Sequence, residues 1–334
     1  MTLQRAWVLC VTALALSATS ASAQPTVDWS GLAYVDYRYL LASADAAAVG
    51  DNSFDYRRIY LTADVALDDA FDARVRLEAT TRSTTAQGRP SPFVKDAWVR
   101  WRYAPDGHRA TLGVQPPPVF EVAETVWGYR SLAQTLTDRT RLRESRDFGL
   151  RADGPLGGSG LRYSAMVANG NGVQREDAGA NGKRVYGQLA YLPDGSPLRA
   201  TLGADYTESD PDDGTRQAST RASAFVGAVT ERARGGVEVA YVVEDPEAAG
   251  LDTETGVGVS VFGAVALAPR TRLVARYDFA EAAVARSGVG EHYVLVALAQ
   301  RLAPSVQLMP NVIVERPEGG DAEVLGRVTV DIRF

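Results

Sequence analysis

The sequence predicts an all-β fold, a transmembrane antiparallel β-barrel of about 16 strands. Three observations predict it. Segments of roughly ten residues alternate apolar and polar side chains. The connections between them are short and long by turns. The final segment is an amphipathic strand that closes on Phe334.

The alternation is clearest from Arg58 to Leu67. Ile59, Leu61, Ala63, Val65 and Leu67 share one face; Arg58, Tyr60, Thr62, Asp64 and Ala66 share the other. After Asp68-Asp69 the pattern restarts, with Phe71, Ala73, Val75, Leu77 and Ala79 opposite Asp72, Arg74, Arg76, Glu78 and Thr80. In a soluble sandwich such a charged face would be the solvent face. Its recurrence along the whole chain argues instead for water enclosed by the sheet and lipid outside it. Strands are expected at 29–41, 55–67, 71–81, 94–103, 109–115, 146–153, 161–168, 184–192, 198–206, 220–230, 237–244, 256–267, 272–280, 291–302, 306–315 and 324–334. Sixteen is even, as expected for a single-chain bacterial barrel. The segments 220–230 and 291–302 alternate poorly.

Asp68-Asp69, Pro105-Asp106-Gly107, Pro193-Asp194-Gly195, Pro269-Arg270 and Pro304-Ser305 carry tight-turn chemistry. Between them lie polar stretches at 42–53, 82–93, 116–145, 169–183, 207–219, 245–255, 281–290 and 316–323. Short turns at one rim and long loops at the other is a barrel arrangement. A closed sheet is also the only β-structure that leaves no unpaired backbone in hydrocarbon. Tyr37, Tyr39, Trp101, Tyr103, Tyr191, Tyr206, Tyr277 and Phe279 lie near strand ends, where aromatic girdles meet outer-membrane lipid. Val324, Gly326, Val328, Val330, Ile332 and Phe334 form one face of the last strand. A strand ending in this way resembles the signal read by the outer-membrane assembly machinery.

Residues 1–23 read as a signal peptide and 24–334 as the barrel domain. Arg5 precedes an apolar run from Ala6 to Ala18, and Ala21-Ser22-Ala23 has the small residues of a cleavage site. The expected location is therefore the bacterial outer membrane. Cys10, the one cysteine, falls in the signal, so disulfides and cysteine-based metal sites are excluded from the mature chain. A net charge of −6 gives no reason to expect nucleic-acid binding. The two histidines, His108 in a turn and His292 near a strand start, have no serine or carboxylate at catalytic or metal-binding spacing. No catalytic residue, metal or cofactor is expected. Asn169-Gly170-Asn171-Gly172 reads as a turn, and Asp210 to Gly214 as a solvated loop.

Several motifs keep the order of one known family. Phe54-Asp55-Tyr56-Arg57-Arg58 resembles the opening of the second strand in the phosphate-selective porin O and P family. Val94-Lys95-Asp96-Ala97-Trp98-Val99 is similar to its fourth strand, and Leu112-Gly113-Val114-Gln115 with Val119-Phe120 to its passage into the third loop. Arg146-Asp147-Phe148-Gly149 and Tyr163 through Asn169-Gly170 resemble the strands that follow. The matches cover about residues 54–172. The resemblance implies a sixteen-stranded porin, often a homotrimer, whose third loop folds inward and narrows a channel for small hydrophilic solutes or anions. Pro116-Pro117-Pro118 stands where that family often has a lysine.

The stretch 116–145 is too long and too apolar for a surface tip: Val119, Phe120, Val122, Val126, Trp127, Tyr129, Leu132 and Leu136 need a packing partner. The resemblance implies a position inside the barrel, the alternative being a neighbouring subunit's surface. Its charged residues, Arg130, Arg139, Arg141, Arg143, Glu121 and Glu124, are then candidates for the constriction. On the wall the candidates are Arg58, Arg74, Arg76, Arg100 and Arg102, of which the last four could form a basic ladder. Wall acids such as Asp36, Asp64, Asp72, Asp96 and Asp278 nearly cancel the wall arginines, so the inventory alone assigns no selectivity. The expected function is passive diffusion through a water-filled pore. A plugged structural barrel, an outer-membrane hydrolase using His292 and a soluble all-β domain are the alternatives.

Overall fold

The computed structural model describes residues 24–81, 83–140, 145–173, 182–209, 217–246, 252–285 and 288–334. Sixteen strands among them form one closed antiparallel barrel, each paired with its sequence neighbours. They are β1 (Thr26–Ala42), β2 (Asn52–Ala66), β3 (Phe71–Ala79), β4 (Phe93–Arg102), β5 (Arg109–Gln115), β6 (Asp147–Pro155), β7 (Leu161–Ala168) and β8 (Arg184–Tyr191). The second half comprises β9 (Leu198–Ser209), β10 (Gln217–Val229), β11 (Ala233–Pro246), β12 (Glu254–Ala268), β13 (Thr271–Ala280), β14 (Glu291–Ala303), β15 (Val306–Pro317) and β16 (Glu323–Arg333). Closure joins β1 to β16, from Leu32 opposite Arg333 to Ala42 opposite Val324. The Phe334 amide extends the pairing by donating to the Gly31 carbonyl at 3.1 Å. Among the described residues no helix is long and apolar enough to cross a membrane; the strands do the crossing.

The two faces separate as their chemistry requires. Leu61, Val75, Val99, Leu112, Leu150, Leu202, Val261 and Val312 stand exposed on the outer surface. Thr62, Glu78, Asp96, Thr111, Arg151, Asp205, Glu238 and Thr329 are buried toward the interior. Turns 156–160 and 230–232 add to the short connections anticipated at the turn end. Phe71 stacks on Trp101 with centroids 6.1 Å apart there, and Tyr37 meets Phe54 at 4.9 Å toward the loop end.

Of the five register shifts among the described strands, two carry charged residues. The β1–β2 register passes from Tyr34–Arg58 to Val35–Tyr56, leaving Arg57 as the extra residue. Between β3 and β4 it passes from Arg76–Asp96 to Leu77–Val94, leaving Lys95 over. An extra residue re-aims its neighbours. Here it turns Arg57 and Arg58, and likewise Lys95 and Asp96, toward the interior together.

Candidate functional site

The third loop connects β5 to β6 and folds into the barrel. It carries α1 (Glu121–Trp127) and α2 (Leu136–Arg139), which lie against β9–β12. Trp127 packs edge-on against Phe262 of β12 at 5.1 Å and against Tyr129 at 5.6 Å. Val126, Leu132 and Ala133 join Phe225, Val274, Leu295 and Met309 of the wall in one buried cluster. Leu136 sits with Val242, Ala280 and Val284, and Phe120 with Met166 and Tyr186. This packing explains the weak alternation of β10 and β14. Their inward residues, Phe225 on one and Tyr293, Leu295 and Ala297 on the other, lie under the loop and are apolar for that reason.

Polar wall groups hold the loop backbone. Glu238 accepts from the Leu136 amide at 3.0 Å, the Thr137 amide at 3.3 Å and the Thr137 hydroxyl at 2.9 Å. Arg327 donates to the Leu132 carbonyl at 2.6 Å, while Arg57 and Arg276 donate to the carbonyls of Ser131 and Gln134. Arg139 donates to Asp278 at 3.0 Å and to Glu291 at 2.8 Å. Arg151 donates to Glu121 at 2.7 Å. Orphaned backbone groups of a buried loop must find such partners.

The loop covers the β9–β15 side and leaves a cavity of about 850 Å³ against the opposite wall, reaching the turns at Pro269 and Pro304. Ten of its lining residues are cationic and two, Glu124 and Asp331, are acidic. Two acids of the neighbouring wall, Glu78 and Asp96, lie beneath their partners. Glu78 is 3% exposed between Arg58 at 15% and Lys95 at 11%. Asp96 is 1% exposed between Arg76 at 18% and Arg146 at 11%.

A family model described as Gram-negative porin matches residues 10–312. The chain belongs to the Gram-negative porin family. An anion-selective porin from Comamonas acidovorans superposes with a TM-score of 0.72 at 12% identity, over 93% of this chain and 100% of that one. The outer membrane channel DcaP of Acinetobacter baumannii gives 0.68 at 12% identity, over 93% and 97%. OmpT of Vibrio cholerae in its trimer form gives 0.62 at 13% identity, over 93% and 99%. Identities this low show the fold alone. A comparison with curated proteins found no match. This porin is an outer-membrane channel.

Among the residues expected to line the channel, Arg58, Arg76, Arg130 and Glu124 line the cavity of this porin. Arg130 bridges Glu124 at 2.7 Å and Asp138 at 2.6 Å. Arg139 and Glu121 instead tether the loop to the wall. Arg74, Arg76, Arg100 and Arg102 do not make an uninterrupted ladder. Arg74 pairs with Asp64 at 2.6 Å, Arg76 with Asp96 at 3.0 Å, and Asp72 serves both Arg100 and Arg102. Trp98 carries Arg74 and Arg100 over its ring, at 5.5 and 4.4 Å. Arg141 and Arg143 lie outside the described residues, as do Asp210–Gly214 and the signal segment. Lys95, Arg146, Arg234, Arg270, Arg301 and Arg333 also line the cavity, and alternation did not single them out. Among the described residues no group of three or more His, Cys, Asp or Glu could hold a metal. His292 contacts the Tyr277 hydroxyl at 2.9 Å.

Proposed function

We propose that this porin prefers small anions. The observation that carries the reading is the excess of ten cationic over two acidic residues around the cavity. Rings of arginine and lysine raise the local concentration of anions and repel cations. The selectivity named for the Comamonas acidovorans porin is of this kind. Phosphate preference follows from the resemblance to the phosphate-selective porin O and P family. Pro117 and Pro118 are buried, so the basic groups come from the wall and not from that step of the loop.

The remaining parts of the reading are a homotrimer, an export signal removed after Ala23, and passive transport without catalysis. Reconstituted protein in a KCl gradient tests the selectivity. The zero-current potential should lie toward the chloride equilibrium value. Arg58→Gln with Arg76→Gln should move it toward zero. A potassium preference, or an absence of current steps, would overturn the reading, the latter in favour of a plugged barrel.

A further inference from the structure

Below the constriction loop, toward the turns, lies a second group of arginines that holds no carboxylate. The sheet places them together. Arg234 on β11 faces Ala264 on β12. Arg272 on β13 faces Ala266 on one side and Ala299 on β14 on the other. Arg301 lies two residues beyond Ala299 on the same strand face. The intervening alanines leave room between the guanidiniums, and all three arginines line the same cavity with Arg270 at its rim.

Two of them are held by the protein. The Arg234 guanidinium lies 6.0 Å from the Tyr129 ring centre and against the backbone of Gly128. A Cβ at Gly128 would fall 1.7 Å from an Arg234 terminal nitrogen, so a larger residue there would displace the end of that side chain. Arg272 donates to the Glu231 carbonyl at 2.6 Å. Arg234 Nε and Arg272 Nη1 are enclosed without an acceptor, as are single nitrogens of Arg109, Arg139 and Arg184, so the donors left for a solute are those that line the cavity. Among the described residues, no carboxylate lies within ion-pairing distance of Arg234, Arg270, Arg272 or Arg301. By contrast, Arg58, Arg76, Arg130, Arg139, Arg151 and Arg276 each have one. The Tyr129 hydroxyl reports the convergence. Burial raises its pKa, and the fields of Arg272, Arg234 and Arg301 oppose that rise.

Cavity-lining guanidiniums that no carboxylate engages are open to a solute, and their forks match oxyanions. We propose that Arg234, Arg272 and Arg301 form an oxyanion-binding station between the constriction and the turn-end mouth, taking a multivalent anion such as inorganic phosphate. The station rests on the anion-preferring reading above and gives it a place and a ligand class.

The test is phosphate block of chloride current through the reconstituted full chain. Inorganic phosphate should reduce the current saturably. R234Q/R272Q/R301Q should raise the half-blocking concentration at least tenfold, and R301Q alone, at an exposed position near a turn, about threefold. Heat-modifiable migration on gels verifies that each variant has folded. Equal block in wild type and both variants overturns the station, as does block abolished only by R58Q/R76Q. A chloride-preferring wild type that phosphate does not block also overturns it and leaves the selectivity intact. Phosphate block sensitive to these arginines in a channel without chloride preference does the reverse.

Discussion

Removing the Glu238 carboxylate should loosen the constriction loop without opening the barrel. Glu238 is 2% exposed and is the shared acceptor for two backbone amides and one hydroxyl at the start of α2. Hydrogen bonds to a charged group are worth about 1.5–3 kcal/mol each, and they are not additive within one cluster. Glu238→Ala deletes all three and leaves two buried amides without an acceptor. Lumen water can re-satisfy part of the loss, so a net cost of about 3 kcal/mol is expected for docking residues 135–140. Every 1.4 kcal/mol is about tenfold in an equilibrium, which makes local opening about a hundredfold more frequent. Amide exchange read by mass spectrometry should show that acceleration in peptides covering 131–140, while strand amides keep their protection. Thr137→Val removes the hydroxyl contact alone and should accelerate exchange about fivefold, for about 1 kcal/mol. Unchanged exchange in Glu238→Ala, with the barrel intact, would refute the anchoring role. The tethers from Arg57, Arg276 and Arg327 would then suffice by themselves.

Three further outcomes are expected. Trp127→Ala empties the centre of the loop–wall cluster and the bond from its indole to the Ala133 carbonyl at 2.8 Å. It should cost loop docking about 3–5 kcal/mol and appear as noisy, larger conductance steps. Gly128→Ala meets both a φ of 69° and the Arg234 side chain. It should destabilise the loop by about 1–3 kcal/mol, and adding Arg234→Ala should recover the steric part but not the backbone part, as a double-mutant cycle in exchange rates would show. Leu202→Arg puts a charge on the lipid face and should cost about 2–4 kcal/mol in reversible unfolding from bilayers, whereas Arg at the lumen-facing neighbour Thr201 should cost less.

The strand set was legible because a two-residue period survives wherever one face meets lipid and the other meets water. It faded where that contrast vanishes. On β14 the lumen face is covered by the third loop, so Tyr293, Leu295, Ala297 and Ala299 read as apolar as their lipid-facing neighbours. The start of β11 was lost to Gly235-Gly236, which depress strand propensity. A Cβ at Gly236 would lie 2.5 Å from the Phe225 ring, so the glycine serves packing. Arg234 was lost with it. Bulges hide residues more completely, because strict alternation assigns Arg57 and Lys95 to the lipid face and nothing local announces the extra residue. The apolar content of the third loop showed that it needed a packing partner, and the resemblance to the porin O and P family placed that partner inside the barrel. The loop's tethers were not legible, since Arg139 meets Asp278 across 139 positions of chain and no local pattern encodes such a pair.

A nearly balanced set of wall charges can still give a basic channel, through an asymmetry between the two chemistries. A carboxylate has two oxygens, and burying it demands that both be satisfied. Asp96 achieves this between Arg76 and Arg146; Glu78 accepts from Arg58 through Oε1 and has the Lys95 ammonium 3.0 Å from Oε2, so each acid ends up enclosed. A guanidinium has five donors in a planar fork and a face that stacks on aromatic rings. One edge can hold an acid while the rest meets a ring or water. Arg58 pairs with Glu78, lies over Tyr60 at 5.1 Å and still lines the cavity. At Arg58–Glu78 and Arg76–Asp96 the arginine therefore ends at the water surface and the acid beneath it, whereas Asp64 stays more exposed than its partner Arg74. Exchanging the partners of one pair, as in Arg58→Glu with Glu78→Arg, keeps the wall's net charge. It should leave arginine again on the water side, with chloride preference retained. A reversal to potassium preference in that swapped channel would show that selectivity follows sequence position, and the asymmetry would not be its cause.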